Sequence, residues 1–412
     1  IGSGLVGSEM CIRDSLNKTF YFLEDGRRFI VREETSTGYM HLYLYGIGQG
    51  VLHPITQGEW EVTDFVGLRG DKVYYISTES SPLKRDLYRV GLDGKHKERL
   101  TPGDGYYSIY PSADLSYYIC EGGDSSAPGR TDVFNAAGKR VRTLYDNAPL
   151  KEALAEAGLP VREFFTFTTE RGDELNGYML KPLDFDPAKR YPVLLTQYSG
   201  PGSQQVAEGW GPDWEDALVT HGYIVVCVDP RGTGYRGEEF KKLTYGNLGR
   251  LEVEDQISTA RYMARQSYVD PARIGIYGWS YGGFMALGCA FRGEGLFKMA
   301  IAVAPVTSWR YYDSIYTENF NGLPDDYPKG YDDNSPVNLA HLFRDDSTRL
   351  LIVHGTADDN VHFQNTMEMA RALNKLGKQY DMMVYPDQNH SMMPDDMIHV
   401  REKMLRYTLE NL

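Results

Sequence analysis

Two patterns of hydrophobic and polar positions follow one another along the chain. Over residues 20–144, short aromatic-rich segments alternate apolar and polar residues, with turn residues between them. A period of two is typical of short, half-buried β-strands. From residue 163 onward, continuous apolar runs alternate with longer helical patterns. This second pattern indicates buried strands that are joined by helices, so the sequence predicts two structural regions.

The first region contains an internal repeat. The segment His41-Leu-Tyr-Leu-Tyr45 recurs 45 residues later as Asp86-Leu-Tyr-Arg-Val90, and a further copy begins at Asp132. Periods of about 40 to 45 residues are typical of four-stranded propeller blades. Because two or three blades cannot close a ring, we expect residues 17–148 to be the last blades of a truncated β-propeller. A smaller all-β domain is the alternative.

The second region is predicted to be a mostly parallel, doubly wound sheet over residues 149–412, covered by helices on both faces. It begins with a short helical link at 149–160 and a hairpin pattern at 163–180. The range 252–266 is predicted to be an amphipathic helix. Further strands are expected near residues 193, 224, 274, 299, 350 and 381, and further helices near residues 214, 284, 364 and 398.

A serine stands on a sharp turn between a predicted strand and a predicted helix. The segment Gly278-Trp-Ser280-Tyr-Gly282 matches the G-x-S-x-G pattern of a nucleophile elbow, in which the positions two before and two after the serine must be small. The pattern predicts an α/β-hydrolase with Ser280 as nucleophile. A glycine-rich turn that happens to contain a serine is the alternative.

Partners for this serine follow in the chain order that α/β-hydrolases use, an acid and then a histidine. Asp358 lies in the loop after the apolar strand pattern at 350–355, and His390 lies in the loop after the pattern at 381–385. A serine needs an adjacent base that a carboxylate orients. We therefore expect a triad of Ser280, Asp358 and His390, although a purely structural role for His390 stays open.

Other side chains are expected near the same edge of the sheet. The backbone N–H of Tyr281 is a candidate oxyanion donor, and the phenol of Tyr198 is a second candidate, although its position alone favours a structural role. Aromatic residues crowd the segment 306–316 after the strand near 299. Such a cluster is either core or a pocket for a flat ring. The cluster consists of the aromatic residues Trp309, Tyr311, Tyr312 and Tyr316 together with the aliphatic Val306.

Composition excludes several classes of function. The 412 residues carry a net charge of −14, which argues against nucleic acid as a partner. No apolar run reaches the roughly 20 residues of a membrane span. None of the nine histidines forms a metal-binding pair, so no metal and no cofactor are expected. Cys227 and Cys289 are expected to be buried thiols.

The N-terminal residues 1–16 show neither strand nor helix periodicity, and the chain does not begin with Met. We interpret them as a non-native segment from sequencing read-through and expect the natural N-terminus to be missing. The lack of a recognisable signal peptide in this sequence therefore says nothing about where the protein is located.

Four segments resemble the dipeptidyl peptidase IV branch of the prolyl oligopeptidase family of serine peptidases, bacterial members most of all. They are Gln197-Tyr-Ser-Gly-Pro201, Trp279-Ser-Tyr-Gly-Gly283, Ala304-Pro-Val-Thr-Ser-Trp-Arg-Tyr-Tyr312 with its continuation to Tyr316, and His354-Gly-Thr-Ala-Asp-Asp-Asn-Val361. The resemblance implies a C-terminal α/β-hydrolase preceded by an eight-bladed propeller. It makes Tyr198 an oxyanion donor and Asn360 a partner of a substrate carbonyl. It places the proline pocket at Tyr281, Val306, Trp309, Tyr312, Tyr316 and Val361.

The implied activity is release of X-Pro or X-Ala dipeptides from peptide N-termini, outside the cytoplasm in the periplasm or medium. A homodimer through the hydrolase domain is a further hypothesis. The family's glutamate pair for the substrate amine is expected upstream, so Glu33-Glu34 is interpreted as a coincidental surface pair. Alternatives are a prolyl tripeptidyl peptidase, an acylaminoacyl peptidase or esterase, and an inactive fragment or binding protein.

Overall fold

The computed structural model describes residues 19–34 and 37–412, so the predicted non-native segment 1–16 lies outside the described residues. The chain divides into two units. Unit 1 comprises the described residues up to Gly158 with Ala207–Gly211 and Gly234–Lys241, and unit 2 comprises Leu159–Val206, Pro212–Thr233 and Lys242–Leu412. The domain limits at 17–148 and 149–412 stay predictions.

Unit 1 contains three four-stranded sheets in which strands adjacent in sequence pair antiparallel. The strands are β1 Phe20–Phe22, β2 Arg28–Glu34, β3 Met40–Gly46 and β4 Gly50–Pro54 in sheet 1, β5 Val62–Arg69, β6 Lys72–Ser77, β7 Asp86–Gly91 and β8 Glu98–Arg99 in sheet 2, and β9 Tyr106–Pro111, β10 Tyr117–Gly123, β11 Arg130–Asn135 and β12 Arg140–Tyr145 in sheet 3. Helix α1, Ala148–Ala157, follows.

The three sheets pack face to face. On β6, the neighbours Tyr74 and Tyr75 point to opposite faces: Tyr75 joins the core shared with sheet 1, and Tyr74 joins the core shared with sheet 3. This is the alternation that a strand buried on both sides requires. The predicted repeat is the third strand of each sheet, and the prediction of four-stranded propeller-type blades is confirmed.

The repeat also explains a buried polar position at the start of the third strand. His41 bonds Thr56 through Nδ1 and Oγ1 at 3.1 Å, and 45 residues on Asp86 accepts from the hydroxyl of Thr101 at 2.6 Å. Both His41 and Asp86 are fully buried. Each pair therefore ties the third strand of a sheet to the chain that leaves its fourth strand.

The interpretation of Glu33-Glu34 as a surface pair is wrong. Glu33 is buried and accepts a hydrogen bond from the phenol of Tyr45, and the Glu34 side chain is 8% exposed and pairs with Lys241. Periodicity assigns one of two adjacent strand residues to solvent, but it does not reveal a cation supplied from a distant segment.

Unit 2 is built on one eight-stranded sheet with the order β13-β14-β16-β15-β17-β18-β19-β20. The strands are β13 Glu163–Thr168, β14 Glu174–Leu180, β15 Tyr191–Thr196, β16 Ile224–Asp229, β17 Val269–Trp279, β18 Met299–Val303, β19 Arg349–Gly355 and β20 Asp381–Tyr385. The helices of unit 2 are α2 Asp216–Thr220, α4 Leu251–Ala264, α5 Tyr281–Arg292, α6 Ser314–Asn321, α7 Pro328–Asp332, α8 Pro336–Leu339, α9 Gln364–Lys375 and α10 Pro394–Asn411, whereas α3 Glu238–Lys242 belongs to unit 1 except for its last residue.

All neighbouring strands from β16 to β20 in the sheet order pair in parallel. The two pairs β13–β14 and β14–β16 are antiparallel. The prediction of an α/β-hydrolase after an all-β region is confirmed. Because parallel strands are buried on both faces, β15, β16 and β18 consist entirely of buried residues. Cys227 and Cys289 are free, buried thiols as predicted.

Helix α4 departs from the amphipathic prediction, because polar side chains occupy its buried side. Glu252, Asp255, Gln256 and Thr259 are at most 1% exposed. Buried polar groups require partners, and here Asp255 binds the guanidinium of Arg231. Hydrophobic periodicity cannot detect a helix face of this kind.

The repeat generates a prediction about stability. Asp86 accepts hydrogen bonds from Ser80, Arg99 and Thr101 at 2.5 to 2.7 Å. Asp86→Ala leaves these donors without their acceptor, so we expect the free energy of unfolding to fall by about 2 to 3 kcal/mol. Urea titration measures this loss. Asp71→Ala, whose side chain is 79% exposed, is the matched control, and equal losses in the two variants would contradict the prediction.

Candidate active site

Ser280 sits on a strained turn between β17 and α5. Its backbone has φ 60° and ψ −117°, a conformation that non-glycine residues rarely adopt. The turn can form because both flanking positions are glycine. A Cβ on Gly278 would lie 2.3 Å from the carbonyl oxygen of Gly282, and a Cβ on Gly282 would lie 2.5 Å from the carbonyl oxygen of Gln197, so any larger residue would clash. The two glycines of the motif are thus required by close backbone approach.

Gln197 holds both ends of this turn. Its side-chain amide donates to the carbonyl of Tyr277 at 3.2 Å and to that of Gly282 at 2.9 Å. Its Oε1 accepts from the hydroxyl of Ser199, which in turn accepts from Gln256 on α4. All of these side chains are buried, so the chain of bonds transmits the position of α4 to the nucleophile turn.

Asp358 and His390 are hydrogen-bonded to each other. The distance from His390 Nδ1 to Asp358 Oδ2 is 2.7 Å. The other carboxylate oxygen accepts from the backbone N–H groups of Asn360 and Val361 at 3.0 and 2.9 Å. Because an ionised carboxylate only accepts, His390 carries its proton on Nδ1, which leaves Nε2 as the acceptor.

A second histidine also binds the acid. His354, fully buried on β19, directs Nε2 at Asp358 Oδ2 (3.2 Å) and at the carbonyl of Val361 (2.8 Å). Its Nδ1 lies 2.7 Å from the hydroxyl of Thr366. Burial disfavours the charged form of Asp358, but the hydrogen bonds from His354 and His390 outweigh it and hold the pKa of this carboxyl well below its usual range. The acid therefore stays ionised.

Ser280, His390 and Tyr198 line one cavity of about 530 Å³. The indole N–H of Trp279, the residue before the serine, donates to the backbone carbonyl of His390 at 3.1 Å. This bond attaches the loop after β20 to the nucleophile turn. The structure thus brings all three predicted triad residues to the carboxyl ends of β17, β19 and β20.

Both predicted oxyanion donors lie beside this cavity. Tyr281 is the first residue of α5, so its backbone N–H has no acceptor within the helix and lies at the positive end of the helix dipole. The ring of Tyr198 lies 6.0 Å from that of Tyr281, centroid to centroid. Burial raises the pKa of the Tyr198 phenol, which keeps it a proton donor at neutral pH.

Four predicted pocket rings contact one another. Trp309 contacts the rings of Tyr281, Tyr312 and Tyr316 at centroid distances of 5.4, 6.2 and 6.2 Å, and Tyr312 meets Tyr316 edge-on at 5.3 Å. Val306 and Val361 are buried at 2% and 0% exposure. The side chain of Asp313 accepts a hydrogen bond from the backbone N–H of Tyr316 and so caps α6. This cap fixes where the helix that carries Tyr316 begins.

Asn360 is held by the pocket itself. The phenol of Tyr312 donates to Asn360 Oδ1 at 2.6 Å. The amide nitrogen of Asn360 is therefore the group available to donate to an external carbonyl. Asn360 and Tyr312 also line the cavity that contains Ser280.

Sequence reasoning missed the residues that hold the others in place. His354, Gln197, Gln256 and Glu252 were not singled out for a role. The signal for His354 was its place in the strand just before the acid loop. The signal for the other three was a polar residue type inside a segment that reads as buried. Within the part of the chain that the structure describes, no three His, Cys, Asp or Glu side chains form a metal-binding group.

Comparison with known families agrees with this architecture. The prolyl oligopeptidase family matches residues 210–412, and the dipeptidyl peptidase IV (DPP IV) N-terminal region matches residues 11–128. The chain belongs to the dipeptidyl peptidase IV branch of the prolyl oligopeptidase family, which confirms the resemblance found in the sequence.

Relatives and solved structures are similar over most of this chain. A probable dipeptidyl-aminopeptidase B of Aspergillus niger is 41% identical over 366 residues, which are 86% of this chain and 40% of the relative. The crystal structure of Porphyromonas gingivalis dipeptidyl peptidase 4 has a TM-score of 0.91 at 41% identity, covering 95% of this chain and 56% of that one. A putative dipeptidyl aminopeptidase IV from Bacteroides ovatus has a TM-score of 0.87 at 28% identity, covering 95% and 58%.

The chain thus spans about two fifths of the length of the curated relatives that it matches. No helix among residues 19–34 and 37–412 combines the length and the apolar character that crossing a bilayer demands.

A buried carboxyl group near the cavity generates a prediction about pH. Glu215 follows the cavity residue Trp214 and accepts from the hydroxyl of Thr196 at 2.6 Å. Burial raises the pKa of Glu215 from 4.5 to about 7, against the hydrogen bond from Thr196, which lowers it. The folded state therefore binds this proton more tightly than the unfolded chain, and stability is lost as the pH rises through about 7.

Glu215→Gln removes this titration. We expect wild type and variant to have similar unfolding free energies near pH 4.5, and the variant to become the more stable by up to about 3 kcal/mol above about pH 8. Urea titrations at several pH values measure the difference. Glu402→Gln on the exposed side of α10 is the control. A difference that does not change with pH would contradict the assignment.

Proposed function

We propose that the protein is a serine exopeptidase that releases X-Pro or X-Ala dipeptides from peptide N-termini through an acyl-enzyme. The observation that carries the proposal is the 2.7 Å bond between Asp358 and His390, with His390 lining the same cavity as the strained Ser280. A serine on a tight turn, a histidine in one tautomer and an ionised acid are the parts of a catalytic triad.

In the proposed mechanism, His390 Nε2 takes the proton from the Ser280 hydroxyl as its oxygen attacks the scissile carbonyl. The Tyr281 amide and the Tyr198 phenol donate to the oxyanion that develops. His390 then gives its proton to the departing amine, and a water molecule enters by the same route to hydrolyse the ester. Asp358 stays ionised and stabilises the imidazolium, consistent with its lowered pKa.

The proposed substrate preference follows from the four contacting rings. A proline ring is flat and apolar, and it packs between aromatic faces with little loss of conformational entropy. Alanine fits the same space with less contact. Asn360 is proposed to donate to the carbonyl of the residue before the proline, because its oxygen is already occupied by Tyr312.

The choice between dipeptide and tripeptide release depends on the group that binds the substrate amine, and the names of the relatives support dipeptides. A homodimer through the hydrolase domain and a location in the periplasm or outside the cell are further parts of the proposal, and they rest on the family resemblance. An inactive binding protein with the same fold is the competing function, which turnover would exclude.

The central experiment compares chromogenic substrates. We expect the protein to release p-nitroaniline from Gly-Pro-p-nitroanilide faster than from Ala-Ala-Pro-p-nitroanilide, and a fluorophosphonate probe to label Ser280. Ser280→Ala should abolish both turnover and labelling, because the nucleophile is gone. Labelling that persists in Ser280→Ala would reject the triad. Faster cleavage of the tripeptide would favour a tripeptidyl peptidase, and absence of turnover with intact folding would favour a binding protein.

Tyr198→Phe tests the oxyanion donor separately. Removing one such donor costs on the order of 10² to 10³ in kcat, and we expect KM to change little because the bond forms only in the transition state. Steady-state kinetics with Gly-Pro-p-nitroanilide measure both constants. Tyr311→Phe, a neighbouring phenol without a proposed role, is the control. A variant Tyr198→Phe with wild-type kcat would assign the phenol to structure alone.

A further inference from the structure

A buried carboxyl group lies directly behind the aromatic pocket. Glu252, in the first turn of α4, is 0% exposed. Its Oε1 accepts from the phenol of Tyr281 at 2.7 Å, and its Oε2 accepts from the backbone N–H of Gly249 at 3.0 Å. The mechanism above assigns this carboxyl no part in proton transfer.

Tyr281 connects Glu252 to the pocket. Its ring packs against Trp309 at 5.4 Å and against Phe284 at 5.3 Å, and the whole residue is 2% exposed. The phenol is the ring's one polar group, and the bond to Glu252 sets the direction in which it points. A shift of this ring therefore changes the space beside Trp309 in which a proline would pack.

The two donors demand a carboxylate. An ionised carboxyl accepts on both oxygens, whereas a protonated carboxyl or an amide presents a donor at one of them. The backbone at Gly249 is closely packed and cannot move away from a second donor on Glu252. Gly249 has φ +83°, and a Cβ there would lie 2.2 Å from Phe284 Cζ. A protonated Glu252 either loses one of these two donors or donates to the Tyr281 oxygen, which leaves the phenol hydrogen of Tyr281 without an acceptor.

We propose that Glu252 is a positioning residue for the aromatic pocket: as a carboxylate it fixes Tyr281 against Trp309, and on protonation it releases that ring, so that the preference for a proline ring over an open-chain residue falls at acid pH. The inference rests on the proposed function, because it concerns the ligand preference of the same site.

The surroundings of Glu252 set the pH range of this change. Burial raises the pKa of Glu252 to about 7, against the bonds from Tyr281 and Gly249, which lower it. The charge of Asp255, one turn along α4, raises it further. The other ionisable groups that face this corner are Tyr316 from α6 and Arg292, whose guanidinium donates to the carbonyl of Gly249 at 3.4 Å.

The test measures binding and does not require turnover. Calorimetry gives the affinities of two ligands, a glycyl pyrrolidide and the matching glycyl diethylamide, which share the amine, the carbonyl and the number of carbon atoms and differ in ring closure. Their affinity ratio cancels every pH effect that the two ligands share, including the titration of the ligand amine. For the wild type we expect the ratio to fall about tenfold between about pH 8.5 and pH 5.5, the effect of losing roughly one buried hydrogen bond.

Variants assign this pH dependence to one group. Glu252→Gln should show the low ratio at both pH values, and Tyr281→Phe should also give a ratio independent of pH. Glu254→Gln, in the same helical turn but with a side chain that is 32% exposed and paired with Arg171, should behave as the wild type.

A wild-type ratio that does not change with pH overturns the inference, even if Glu252→Gln fails to fold. A folded Glu252→Gln that keeps the pH dependence overturns it as well. If the expected ratios are found but Gly-Pro-p-nitroanilide is not cleaved, the inference stands and the proposed peptidase activity fails. If Gly-Pro-p-nitroanilide is cleaved but the affinity ratio does not change with pH, the proposed peptidase activity stands and the inference about Glu252 fails.

Discussion

The strained backbone of Ser280 is the constraint that the rest of unit 2 accommodates. A non-glycine residue at φ 60° and ψ −117° is unfavourable by about 1 to 3 kcal/mol and persists only where its surroundings determine it. Here the serine N–H donates to the carbonyl of Val303 at 2.8 Å, and Gln197 fixes the flanking carbonyls. The strain lifts the hydroxyl out of the sheet and toward the loops that carry the base and the acid.

Hydrogen bonds and an ion pair between buried groups link the Ser280 turn to the elements around it. Helix α4 faces the interior with Glu252, Asp255 and Gln256, which reach the aromatic pocket, the loop at Arg231 and the nucleophile turn respectively. Such groups would be costly inside a protein if unpaired, and here the two carboxylates and the Gln256 amide nitrogen all have hydrogen-bond partners. A helix that packs by hydrophobic contact alone tolerates sliding, whereas these bonds hold α4 in one position.

The sequence predicted the architecture well because periodicity and turn chemistry report directly on burial. The alternating segments before residue 145 became three sheets, and the apolar runs at residues 193, 224 and 299 became strands buried on both faces. Glu33, Glu34 and the buried face of α4 escaped prediction for a common reason. Each involves polar side chains that are bound by partners outside their own strand or helix, such as Tyr45 for Glu33, Lys241 for Glu34 and Arg231 for Asp255, and such pairing leaves no periodic trace in one sequence.

The opposite orientations of Tyr74 and Tyr75 make the middle sheet of unit 1 sensitive to strand register. A slip of β6 by one residue would exchange the two cores, placing the side chain meant for sheet 1 in the space shaped by sheet 3 and the reverse. Misalignment is therefore penalised on both faces at once. Insertions or deletions in this sheet should accordingly be tolerated at its turns and not within β6, and assembly of each sheet specifies the alignment of the next.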